Sequence, residues 1–134
     1  MLVVYGWSTM RLEDLEKLML SNLDEFLNSC SGICRSDIPY SPSLSEHSIL
    51  DGCGQCLLRN LMDSIDVESF NIILRDGNYL EFFRLDDVIV EIGNDVAFII
   101  PLDEFISRIR ELREFNIISD EDVESLTSWF RGSG

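Results

Sequence analysis

Phe70-Asn71-Ile72-Ile73-Leu74-Arg75-Asp76-Gly77-Asn78-Tyr79-Leu80-Glu81-Phe82-Phe83-Arg84-Leu85 opens the stretch that decides the fold, and Val88 to Ile100 completes it. Phe70, Ile72 and Leu74 fall on one face and Asn71 and Arg75 on the other, the two-residue period of a strand. Asp76-Gly77-Asn78 is turn chemistry, because glycine enters the left-handed region freely and Asn and Asp tolerate it. Leu80 and Phe82 then oppose Tyr79, Glu81 and Phe83. Asp86-Asp87 breaks the run, and Val88, Val90 and Ile92 share a face against Ile89 and Glu91. After a further turn at Gly93-Asn94-Asp95, Val96, Phe98 and Ile100 oppose Ala97 and Ile99. The reading is a four-stranded antiparallel meander, with one face in the core and the other partly covered. Phe82, Val90 and Phe98 are expected among the core.

Outward from the meander the period becomes helical. Leu12, Leu15, Met19, Leu23 and Phe26 predict an amphipathic helix near 10–28, capped by Ser8 or Thr9. Leu2 to Tyr5 reads as a short strand adding to the sheet edge. Residues 28–44 are rich in Ser, Pro and Gly and read as a loop. Ser43 or Ser45 caps a second helix carrying Ile49, Cys53, Cys56, Leu57 and Leu61, unless Gly52 and Gly54 mark a break and the helix starts afresh near Cys53. Beyond the sheet, Leu102, Phe105, Ile106, Ile109 and Leu112 predict a third helix with Arg108, Arg110 and Arg113 on its outer side. Ser119 and Asp122 form a capping pattern for a fourth. The expected architecture is therefore α+β: a four- to five-stranded meander with two helices before it and a helical hairpin after it. Residues 1–131 make one domain, and Gly132-Ser133-Gly134 reads as an appended linker.

The chain has 134 residues, 10 Lys and Arg against 25 Asp and Glu, and a formal net charge of −15. That length buries a sizeable core without staples. No apolar run approaches a membrane span, and Met1 to Tyr5 lacks the flanks of a signal peptide, so a soluble cytoplasmic protein is expected. The acid excess runs through every part of the chain. Such a field repels phosphate backbones and anionic membranes, so no direct nucleic-acid or membrane contact is expected, and a basic protein partner would be steered in. The competing reading is that acidity only keeps the domain dissolved.

Cys30-x3-Cys34 and Cys53-x2-Cys56 supply two thiol pairs, the number a tetrahedral zinc site needs, with His47 as a substitute ligand. The second pair shares an apolar stripe with Ile49, Leu57 and Leu61, so buried, reduced, metal-free thiols are expected ahead of zinc, and redox or disulfide chemistry last. Cys53-Gly54-Gln55-Cys56 has the form of a thiol-exchange motif, but four consecutive strands do not fit the fold that uses it. Asp76 and Asn78 lie near Asn94 and Asp95 in a meander; turn geometry explains them better than a cation site. No phosphate loop, zinc-protease motif or triad is present, so no enzyme and no cofactor are expected.

The sequence thus favours an acidic inhibitor or regulator of a basic, nucleic-acid-processing partner, of the toxin-immunity or phage anti-defence type. Its contact surface would combine Asp120, Glu121, Asp122 and Glu124 at the start of the last helix with Asp76 and Asp95 at one end of the sheet. Internal neutralisation of the helix start by the third-helix arginines is the alternative. A zinc- or thiol-dependent module built on Cys30, Cys34, Cys53 and Cys56 is the second functional reading. Oligomeric state is left open.

Overall fold

The computed structural model describes residues 10–34 and 43–132. Five antiparallel strands form one sheet in the order β1-β5-β4-β3-β2. The meander supplies β2 (Ser69–Ile73), β3 (Tyr79–Arg84), β4 (Val88–Ile92) and β5 (Val96–Pro101). The fifth strand, β1 (Ile49–Asp51), pairs with β5 through Ile49 and Phe98. The proposed strand at Leu2–Tyr5 and the proposed caps Ser8 and Thr9 lie outside the described residues. Gly77, at φ +86°, makes the β2–β3 turn.

The predicted first helix is present as two segments, α1 (Leu12–Ser21) and α2 (Leu23–Ser29). Asn22 divides them: its backbone leaves helical geometry and its side-chain amide donates to the Leu18 carbonyl at 2.9 Å. The second helix begins at Gly52, as the glycine break allowed, and α3 runs Gly52–Ser64. The alternative start near Ser43–Ser45 is overturned, because Gly52 sits at φ +52° directly after β1 and so ends the strand and turns the chain. After the sheet, a 3₁₀ turn (Leu102–Glu104) leads into α4 (Phe105–Glu114) and α5 (Asp120–Gly132).

Both faces of the sheet are covered. Phe83, Val90, Ile92, Ala97 and Ile99 pack under Leu15, Met19, Phe26, Leu57, Leu58 and Leu61 of α1–α3. Ile72, Leu80, Phe82, Ile89 and Ile100 pack under Phe105, Ile109, Leu112 and Leu126 of α4 and α5. Of the three expected core residues, Phe82 and Val90 are fully buried but on opposite faces, and Phe98 is half-buried beneath α4. An edge-on contact of Phe82 with Phe105, at 5.7 Å between centroids, helps fix the second layer.

The β2–β3 and β4–β5 turns share one end of the sheet, where the Tyr79 amide donates to Asn94 Oδ1 at 3.0 Å. This is the turn end of the sheet. At the opposite end, Arg84 holds the Phe130 carbonyl, and the Phe70 ring lies 5.8 Å from Trp129. The C-terminus of α5 is therefore at that opposite end, and its N-terminus points to the turn end.

Candidate functional site

Asp76 and Asp95 lie in the two turns of the turn end, and Asp120, Glu121, Asp122 and Glu124 lie at the start of α5, which points towards that end. Asp76 accepts from the Asn78 amide at 3.0 Å and from its side-chain nitrogen at 2.9 Å. It therefore builds its own turn, as the geometric reading expected. Asp95 is exposed in the neighbouring turn. At the start of α5, Ser119 and Asp122 bond reciprocally at 3.1 Å each way, a complete capping box. Asp120 meets Arg113 of α4 at 2.6 Å. That hydrogen bond and charge hold the Asp120 carboxyl below its ordinary range and the Arg113 guanidinium above its own. The internal pairing thus claims Asp120, and capping claims Asp122. Glu121 and Glu124 are exposed, with no hydrogen bond or ion pair among the described residues.

The same end exposes apolar side chains, a feature the charge-based reading missed. Ile73, at 83% exposure, closes β2 on the α1–α3 side of the sheet, whereas Phe115, at 69%, stands with Ile117 in the α4–α5 turn on the opposite face. Asn116 between them takes φ +58°, which brings the hairpin round sharply. Its signal was available: Phe115 and Ile117 flank a turn residue and belong to neither helical stripe. Aromatic and aliphatic anchors inside a charged rim are the anatomy of protein interfaces.

A second concave region lies between β1, β5 and α4. It holds about 380 Å³ and is lined by His47, Phe98, Glu104 and Arg108 among others. Arg108 does not sit on the outer side of its helix as expected. It turns onto Glu91, which is 2% exposed in β4, with Nε and Nη2 each at 2.8 Å from a carboxylate oxygen. It also lies 4.6 Å over the Phe98 ring and pairs with Glu111. These acceptors push its guanidinium further above its ordinary value, against the cost of burial. The sequence signal was Glu91 itself, since a carboxylate inside Val88–Ile92 needs a buried cation. His47, at φ +69°, sits 2.6 Å from Glu104. His47 donates its amide to the Ile99 carbonyl while the Ile99 amide donates to Ser48, two residues opposing one. That is a bulge whose first position normally takes glycine. Among the described residues, the charged side chains lining this groove are paired with one another or with Glu91.

The cysteines correct the expectation of reduced thiols. Cys30 is bonded to Cys56 and Cys34 to Cys53, so none is free. The zinc reading falls with it, because all four sulfurs are consumed as disulfides and do not form a metal site. The helical stripe that suggested buried thiols is real, but the 30–34 segment packs on the first turns of α3 and brings each sulfur to a partner. Asn60 donates to Cys30 Sγ at 3.2 Å and to the Cys56 carbonyl at 2.9 Å. Among the described residues no group of three or more His, Cys, Asp or Glu could hold a metal ion. On the far side of the turn end, Arg59 donates to the Gly93 carbonyl at 2.6 Å and lies over Tyr79. Burial first and then Asp63 raise the Glu81 carboxyl above its ordinary value, with Arg59 opposing.

No described helix is long and apolar enough to cross a membrane. No family model, curated protein or solved structure matches this chain.

Proposed function

We propose that the chain is an acidic protein-binding inhibitor or regulator that neutralises a basic, nucleic-acid-processing partner, as toxin-immunity or phage anti-defence proteins do. One observation carries the reading. Exposed Phe115 and Ile117 in the α4–α5 turn adjoin the start of α5, where Glu121 and Glu124 are exposed and form no ion pair among the described residues, and this helix start points to the end of the sheet that carries Asp95. Solvated acid alone needs only water; acid around exposed aromatic and aliphatic anchors suits a basic surface with an apolar socket. The two disulfides fit a non-reducing compartment and move the expected place of action away from the cytoplasm.

The test begins with affinity capture and identification of the bound protein, then measures association with that purified protein. Reversal at Asp95, Glu121 and Glu124 leaves the α5 cap and the Arg113 pair intact. It is expected to slow association roughly tenfold or more at low salt and to flatten the salt dependence. Phe115→Ala is expected to speed dissociation, the signature of an anchor. Association kinetics unchanged by both variants would refute the reading.

A further inference from the structure

The two edges of the sheet are built differently. β1 spans three residues, is preceded by the His47–Ser48 bulge, and ends on Asp51. Short length, a bulge and a charge are the usual protections of an edge. β2 has none of them. Its five residues Ser69–Ile73 contain no charge, no proline and no bulge.

The free hydrogen-bonding groups of β2 can be assigned from its pairing with β3. The Arg84 amide donates to the Glu68 carbonyl at 2.9 Å, and the Leu74 amide to the Asn78 carbonyl at 2.7 Å. Hydrogen-bonded pairs alternate in an antiparallel ladder. Residues 68, 70, 72 and 74 therefore face β3, and Ser69, Asn71 and Ile73 direct their N–H and C=O groups outward. All three residues are exposed, and none of these groups has a partner among the described residues. Three outward residues in a row have a natural centre at Asn71.

We propose that β2 is a self-association edge, on which the β2 strand of a second copy of this chain pairs antiparallel about a two-fold axis at Asn71. Asn71 then faces Asn71 of the second copy, and Ser69 of each chain faces Ile73 of the other. This register matches side-chain faces as well as hydrogen bonds, because residues directly opposed in an antiparallel pair share a face. Ile73 gains cover that the described residues of its own chain do not provide. Charge favours the same orientation: Glu68 precedes β2 and Arg75 follows it, so antiparallel pairing brings each Arg75 towards Glu68 of the other copy. Asp76 comes level with Asp66 of the second copy and opposes this. The turn ends of the two copies point in opposite directions, which leaves both acidic surfaces open.

The overlap is short, so the interface belongs to the weak class below roughly 1,200 Å². Each copy carries −15, and the approach is repulsive at low salt. Self-association is therefore expected to strengthen with salt, whereas capture of a basic partner weakens with salt. Sedimentation equilibrium of the oxidised protein, from roughly 10 to 500 µM in 50 and 500 mM salt, reads this directly. A monomer–dimer equilibrium that tightens severalfold at 500 mM is expected. Asn71→Pro removes an outward N–H without touching the β3 ladder, and Ile73→Lys places like charges at the interface. Both are expected to leave a monomer with unchanged far-ultraviolet circular dichroism. A wild type that stays monomeric at 500 µM and 500 mM salt overturns the proposal. So does a dimer that survives Ile73→Lys and Asn71→Pro in folded protein. If the protein is monomeric and these variants instead abolish capture of the basic partner, the edge belongs to that partner and the proposal also fails.

Discussion

Reduction of the two disulfides is the perturbation with the largest expected effect on stability. Cys30 and Cys56 are separated by 26 residues, and closing that loop removes about 3.5 kcal/mol of unfolded-state entropy. Cys34–Cys53 is nested inside it, with a separation of 19 residues. Once the outer bond exists, the inner one closes only the ring formed by the short arms 30–34 and 53–56. That smaller ring contributes about 2.5 kcal/mol. The pair therefore supplies about 6 kcal/mol, a large share of the roughly 5–15 kcal/mol of a typical domain. Urea unfolding, followed by tryptophan fluorescence and circular dichroism, should show the midpoint falling accordingly when a phosphine reductant is added. Cys34→Ala with Cys53→Ala, leaving the outer bond, should lose about 2.5 kcal/mol by the same entropy argument. Two results would refute the reasoning. One is a reduced protein within about 1 kcal/mol of the oxidised one, far below the nested-loop value. The other is free thiol in the denatured, unreduced protein, which would mean the bonds do not form.

Arg108→Met leaves the Glu91 carboxylate buried without its cation and should cost about 3–5 kcal/mol. Adding Glu91→Leu should restore most of that loss, and a double variant as unstable as the single would show that packing against Phe98 dominates instead. His47→Gly relaxes a left-handed residue at the cost of an exposed pair with Glu104, for a net gain of about 0.5–1 kcal/mol in thermal unfolding; a loss would indicate that the Glu104 contact matters more than the strain. Arg113→Ala removes the group that holds the Asp120 carboxyl low, so its titration by carbon NMR should move up towards the ordinary carboxylate range. Because the folded carboxyl is depressed, the stabilisation is present above its unfolded pKa and lost as pH falls through the folded one, so wild type and Arg113→Ala should converge in acid. Glu81 has the opposite sign: its raised carboxyl favours the fold below its unfolded pKa, and that advantage is lost as pH rises through the folded value. Asp63→Asn should lower that carboxyl and raise stability at pH 7 relative to pH 3.

The meander was legible because its alternation is nearly unbroken and its turns carry Asp-Gly-Asn and Gly-Asn-Asp. The α5 cap was legible for the same reason, a local pattern read by local chemistry. What was missed depends on contacts across the sequence. Ile49–Asp51 is too short to show a strand period, and only its pairing with β5 makes it one. Cys30 and Cys34 stand in a segment with no period of its own, so nothing local revealed which thiols they would meet. Arg108 lies where a helical wheel puts solvent, yet Glu91 on a different element draws it inward. The acids were picked out by charge alone, while the exposed Ile73, Phe115 and Ile117 were passed over because each lies at the margin of its element.

The place of β1 in the sheet has a consequence for how the chain matures. Ile49 pairs with Phe98, so the strand that joins the first part of the chain to the sheet has no partner until the last strand of the meander has been synthesised. All four cysteines lie ahead of the meander in the sequence. As the chain emerges, residues 30–56 come out ahead of β2–β5 and can oxidise before those strands are free to pair, and the staple then holds α2 against α3 while that pair still lacks a sheet to cover. Exposed to an oxidant early, the emerging chain closes its loops first and docks them on the meander afterwards; starved of oxidant, it presents the meander with an untethered helical half and the slower search that non-local pairing entails.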